Sequence, residues 1–120
     1  NYFNFMVNPE GMSDLNVSTF MMRQLIINDE FKKVFLERLS YQLKNVWSKE
    51  RVLKRIDEIY NMLSPEMERN QKRWGMTYKE WEENIEILKK YTNLREDYIK
   101  KHAKSFFKLN DSEMKKYFGE

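Results

Sequence analysis

His102 is the single histidine in this 120-residue chain, and there is no cysteine. Composition alone therefore excludes a two-imidazole relay, a His-pair metal site, a thiolate nucleophile and any Cys-based metal site. The remaining chemistry-bearing groups are mostly cationic. Lys100, Lys104 and Lys108 recur at i, i+4 and i+8 with Lys101 beside them, a ridge that could meet phosphates or an acidic protein partner. Arg69 and Arg73 stand four residues apart in SPEMERNQKRWG, residues 64–75, close to Pro65, Glu66, Met67 and Trp74. Two guanidinium groups at that spacing are the raw material of an anion clamp.

Each of these features also has a structural reading, and the structural readings are the stronger ones. Arg69 lies three residues from Glu66 and can pair with it, while Arg73 sits in the last turn of its segment, where the helix dipole favours positive charge. Glu96 and Asp97 stand one turn before the lysine ridge and offset part of it. His102 shares a helix face with Tyr98, Ile99 and Phe106, the setting of a packing histidine. The carboxylate pairs Asp57–Glu58 and Glu82–Glu83 are adjacent, so on a helix their side chains diverge and build no shared acid–base site. Gly11, Gly75 and Gly119 stand alone and form no phosphate loop. The residues by themselves assign no catalytic, cofactor-binding or metal-binding role to the chain.

The elements that must position these residues read as all-α. Only three Gly and two Pro leave little turn chemistry for hairpins, no alternating apolar–polar run is sustained, and 41% hydrophobic with 34% charged residues is a globular mix. A compact bundle of about five to six helices is expected, with a core rich in the aromatics that make up 15% of the chain. No apolar run approaches a membrane span, since TFMMRQLII is short and carries Arg23. Lys and Arg exceed Asp and Glu by 22 to 19, and acids at helical spacing (Glu50–Lys54, Glu86–Lys90, Glu96–Lys100, Asp97–Lys101) account for much of the surface charge. Neither nucleic acid nor a membrane is expected as a partner. The first residue is Asn, so the chain is expected to be a piece of a longer protein.

Residues 1–17 are expected to be an irregular arm, marked by Asn8-Pro9 and Gly11 but carrying the apolar cluster Tyr2, Phe3, Phe5 and Met6. A helical domain follows over 18–120. Its first helix spans about 18–27 with Ser18 or Thr19 as N-cap. Asn28-Asp29 caps a second, about 29–46, with Phe31, Val34, Phe35, Leu39, Leu43 and Val46 as a buried stripe. Ser48 opens a third, with Val52, Leu53, Ile56, Ile59, Tyr60 and Leu63 on one face. Ser64 as N-cap and Pro65 at the first position restart the helix, with Met67, Asn70 and Trp74 on its other face and Met67 and Trp74 expected to face a core, until Gly75 ends it in a left-handed conformation. Thr77 and Glu80 form a capping box for a helix over about 78–92, with Tyr78, Trp81, Ile85, Leu88 and Tyr91 on one stripe. Asn93 is expected to break or cap it before a helix over about 94–107. Asn110-Asp111-Ser112 caps a final short turn.

Five short motifs in order carry a family resemblance. NDEFKKVFLERL, SKERVLKRIDEI, SPEMERNQKRW, TYKEWEENIEILKKY and REDYIKKHAKSFF together resemble the C-terminal part of the CotH family, the spore-coat protein H kinases, over about residues 20–108. Pro65, Glu66, Met67, Arg69, Arg73 and Trp74 match its Pro-Glu-Met-x-Arg…Arg-Trp segment, and Trp81 its Trp-x-x-Asn helix; Asn70 departs, standing where relatives often carry His. The resemblance implies a parent that is an atypical protein kinase, secreted or spore-associated, phosphorylating serines of coat proteins with ATP and Mg²⁺. The lysine, metal carboxylates and acidic base of phosphoryl transfer lie, in that family, N-terminal to the matched region. The implied role of this chain is helical C-lobe scaffolding, inactive alone and partnered by the missing N-terminal part. The alternative is a free-standing interaction module that binds an acidic partner through Lys100, Lys104 and Lys108.

Overall fold

The computed structural model describes residues 2–8 and 16–119, and every regular element among them is helical. The chain is all-α. Seven α-helices occur among the described residues: α1 (Tyr2–Val7), α2 (Asn16–Ile27), α3 (Asp29–Tyr41), α4 (Lys49–Leu63), α5 (Met67–Trp74), α6 (Tyr78–Phe107) and α7 (Asp111–Phe118). A π-helical turn, Gln42–Val46, follows α3, and a 3₁₀ turn, Ser64–Glu66, joins α4 to α5. The arm expected to be irregular thus contains a helix, α1, while Pro9 and Gly11 lie outside the described residues. α2 begins at Asn16, ahead of both Ser18 and Thr19, so neither is its N-cap.

The local capping chemistry explains most boundaries. Asn28 Oδ1 accepts from the Phe31 N–H at 2.9 Å and starts α3. Thr77 starts α6: the Glu80 carboxylate accepts from the Thr77 N–H at 2.8 Å and from its hydroxyl at 2.7 Å, and the Glu80 N–H donates to Thr77 Oγ1 at 3.2 Å. Asn110 and Glu113 form the same reciprocal box at the start of α7, with bonds of 2.8 and 2.9 Å. Gly75 (φ +84°) and Gly119 (φ +78°) end α5 and α7 in the left-handed region.

Two expected breaks are absent. α6 runs through Asn93 as one 30-residue helix, because Asn costs little in a helix interior and Thr92 beside it is buried, its hydroxyl donating to Leu88 O at 2.9 Å. Ser64 is not an N-cap either. Its backbone stays right-handed (φ −53°, ψ −38°) with its N–H bonded to Tyr60 O, so the chain passes from α4 to α5 by tightening rather than restarting.

The chain divides into two compact units, Asn1–Lys44 with Asp97–Glu120, and Asn45–Glu96, so the region drawn as one helical domain over 18–120 is shared between them. The first unit has a core of Leu36, Leu43, Ala103, Phe107, Leu109, Met114 and Phe118. Phe3 of α1 docks on it, stacked 5.6 Å from Phe106 and edge-on 5.8 Å from Phe107, so this residue of the arm's apolar cluster has an internal partner. The buried Ser40 hydroxyl donates to Tyr117 O and ties α3 to α7. Val34, expected on the buried stripe of α3, is exposed, and so is Val46, the last residue of the π turn.

In the second unit Ile56 and Met67 are buried, with Val52, Leu53, Tyr60, Tyr78, Trp81 and Ile85 half-buried around them. Ile59, Leu63, Leu88 and Tyr91 share the expected apolar faces but are exposed.

Candidate functional site

The signature segment 64–81 lies wholly in the second unit, and its geometry starts with a proline. Pro65 has no N–H for the carbonyl of Asn61, which in a continuous α-helix would be its acceptor. The Ser64 hydroxyl approaches that carbonyl instead, at 3.5 Å, and the 3₁₀ turn absorbs the defect. Met67 then enters the core at the start of α5.

Glu66 and Arg69 form an ion pair at 3.7 Å, with both side chains largely in solvent. Arg73 lies over the Trp74 ring, 5.2 Å from its centroid. Trp74 itself is 71% exposed, so the expectation that it packs inward is corrected. Helical period does place it on the Met67 face, but α5 has only eight residues, and at its far end no described element covers that face. A shallow cavity of about 300 Å³ opens between Glu66, Arg69, Asn70, Arg73 and Trp74. It holds two guanidinium groups and one carboxylate, that of Glu66, which is paired with Arg69.

Trp81 anchors a second constellation. Its ring stacks on Tyr60 of α4 at 4.8 Å with planes 4° apart, and Tyr78 meets it edge-on at 5.4 Å. The Tyr60 hydroxyl donates to Glu82 Oε1 at 3.0 Å and lies 3.3 Å from the Tyr78 hydroxyl, a contact in which either oxygen can be the donor. These bonds, that to Tyr78 first and that to Glu82 second, raise the Tyr60 phenol above its ordinary value. Lys89 of α6 reaches Asp57 of α4 at 2.8 Å, and that bond raises the lysine. Gln71 Oε1 accepts from the Tyr78 N–H at 3.3 Å and links α5 to α6. Periodicity indicated that Tyr60 and Trp81 face a core, but nothing local signalled that they face each other.

The lysine ridge does not assemble as drawn. Lys104 Nζ is held by Asp111 Oδ1 at 2.6 Å, a contact that closes the corner between α6 and α7 and lowers the Asp111 carboxyl. Lys108 follows the last residue of α6 with φ +52°, and Leu109 N–H bonds to Lys104 O at 3.0 Å, the signature of a Schellman cap. Lys108 is therefore off the helical register that would align it with Lys100 and Lys104. His102 is half-buried, with its ring 6.0 Å from that of Tyr98. Among the described residues, no ion pair joins Glu50 to Lys54 or Asp97 to Lys101, and Glu86 pairs with Lys89 at 3.8 Å rather than with Lys90.

A family model described as CotH kinase protein matches residues 4–99. The chain belongs to the CotH kinase family. No curated protein and no solved structure matches it. The match covers both units and takes in every segment from NDEFKKVFLERL to TYKEWEENIEILKKY, stopping inside the REDYIKKHAKSFF motif. The CotH-family name implies ATP and Mg²⁺, which call for clustered metal carboxylates and a lysine on the phosphates. Among the described residues no three His, Cys, Asp or Glu side chains come close enough to hold a metal, and Asp57, Glu66, Glu80, Glu82 and Asp111 each have a structural partner. The described side chains thus offer no metal-holding cluster of that kind.

Proposed function

We propose that this chain is the helical C-lobe part of a CotH-like protein kinase and acts as scaffold rather than as catalyst. The observation that carries the reading is that the family match is supported by residues doing structural work. Met67 is buried, Trp81 is stacked on Tyr60, and Glu66 and Arg69 are paired. The parent would transfer the γ-phosphate of ATP to serines of coat or secreted proteins, with its lysine, metal carboxylates and base in a segment preceding this one.

The surface of the chain suits that role. Ile87, Tyr91 and Leu94 follow one another at helical spacing along α6 and are 62%, 54% and 54% exposed. An exposed aliphatic–aromatic stripe of this kind fits a face covered by the rest of a larger fold.

The parent reading frame provides the test. A preceding segment with a phosphate-binding lysine and an Asp-rich metal motif, and ATP binding by the parent that is lost when that lysine is changed, is the expected outcome. A host chain without such a segment would sink the assignment.

A further inference from the structure

A second recess lies in the same unit, lined by Val46, Trp47 and residues of the SKERVLKRIDEI segment. It is a groove of about 550 Å³ between the end of the π turn and the outer face of α4. Its floor is apolar, built from Val52, the buried Ile56 and Ile59, and Trp47 with Val46 forms one wall. Trp47 is 56% exposed, a large ring left open to solvent beside an apolar floor.

The rim is cationic. Arg51, Lys54 and Arg55 line it with a single carboxylate, Glu58, which is paired with Arg55 at 3.0 Å. The Arg51 guanidinium donates to Asn45 O and is thereby fixed at the mouth, and Lys54 has no ion-pair partner among the described residues. Glu50 and Glu58 stand one turn before and one turn after Lys54, but neither is paired with it among the described residues, and Asp57 is held by Lys89. The groove lining thus carries three cations against one carboxylate beside an apolar floor.

We infer that this groove is a docking site for an acidic, apolar-bearing peptide segment of a partner protein, with Trp47 as the anchor and Arg51 and Lys54 as the charge readers. An apolar floor with a charged rim is the anatomy of a protein interface, and Trp and Arg are the residues that most often dominate such interfaces. The complementary sequence alternates carboxylates, which meet the rim, with Leu or Phe, which fill the floor. A nucleic acid would find the cations but no use for the aliphatic floor formed by Val52, Ile56 and Ile59. The inference does not depend on the kinase reading; the groove would serve a free module equally.

The test is fluorescence anisotropy of the full chain with a short labelled peptide that alternates Glu with Leu and Phe. A counterpart with Lys in place of Glu and a poly-dT oligonucleotide run alongside. Saturable binding of the acidic peptide is expected, weakened about tenfold or more by Trp47→Ala and by Lys54→Glu. Lys72→Glu, on the remote surface of α5, should leave it unchanged. Lys54 makes no described contact that folding needs, so its variant keeps the test valid if Trp47→Ala misfolds. Absence of saturable binding, indifference to Lys54→Glu, or preference for the Lys peptide or the oligonucleotide overturns the inference. So does loss of binding in the longer parent, which would assign the groove to an internal segment.

Discussion

The rings of Tyr60 and Trp81 lie parallel, 4.8 Å between centroids and 4° between planes, and join α4 to α6 across 21 residues of sequence. The stack sits beside the Tyr60–Glu82 bond and the Asp57–Lys89 pair, so three contacts of different kinds hold the same two helices together. Trp81→Ala removes a half-buried aromatic from this seam and should destabilise the chain by about 2–3 kcal/mol, read as a lower urea midpoint. Trp81→Phe, which keeps a stacking ring, should recover most of the loss. Equal loss in both variants would show that the stack contributes nothing beyond volume.

Tyr60 itself gives a spectroscopic prediction. Its phenol is held above the ordinary tyrosine value of about 10 by the bonds to Tyr78 and Glu82. The protonated form is the one stabilised in the folded state, so in an alkaline absorbance titration one tyrosine should remain un-ionised after the others have titrated. In Tyr60→Phe that late phase should vanish. A late phase that persists in the variant would assign it elsewhere.

The Lys104–Asp111 pair sets an acid limit on the corner between α6 and α7. The folded-state carboxyl of Asp111 is lowered, so its contribution is present above the unfolded value of about 3.9 and is lost as pH falls below it toward the folded value. Glu80 acts in the same sense, its carboxyl lowered by the Thr77 N–H and then by the Thr77 hydroxyl. The melting temperature of the unaltered chain should exceed that of Asp111→Asn at neutral pH, and the gap should close below about pH 4. A gap independent of pH would mean that the pair is not the cause.

Lys108 is a non-glycine residue in the left-handed region, at φ +52°. That conformation costs an L-residue about 1–2 kcal/mol, partly offset on substitution by the greater unfolded-state freedom of glycine. Lys108→Gly should therefore raise stability by about 0.5–1 kcal/mol. Gly75→Ala is the converse case. A Cβ there would meet nothing within 4 Å, so the loss of about 1 kcal/mol comes from φ +84° alone. Thermal denaturation of both variants checks the pair, and a stabilising Gly75→Ala would contradict it.

What could be read from the sequence was the chemistry that acts over a few residues. Asn28, Thr77–Glu80, Asn110 and Gly75 were legible because caps are local and their partners lie within four positions. Asn93 was misleading because a modest helix propensity yields to the packing around Thr92. Lys108 was invisible because nothing about lysine announces a left-handed turn; the Leu109 contact imposes it. Trp74 fell on the correct face by period, but burial needs a neighbour, and period says nothing about which face has one. The groove at Trp47 was missed for a related reason. Its floor and rim come from one helix, yet its wall comes from Val46 at the end of the π turn and Trp47 just after it, and no residue pattern signalled that turn.

The central claim, that this chain supports catalysis and does not perform it, is tested most directly by phosphoryl transfer from γ-labelled ATP. The parent and the purified 120-residue chain should be compared with a serine-containing acceptor and Mg²⁺. The expected result is label transfer by the parent, reduced when Trp81→Ala loosens the seam with α4, and none by the chain alone. Transfer by the chain alone that is abolished by a point change within it would contradict the account.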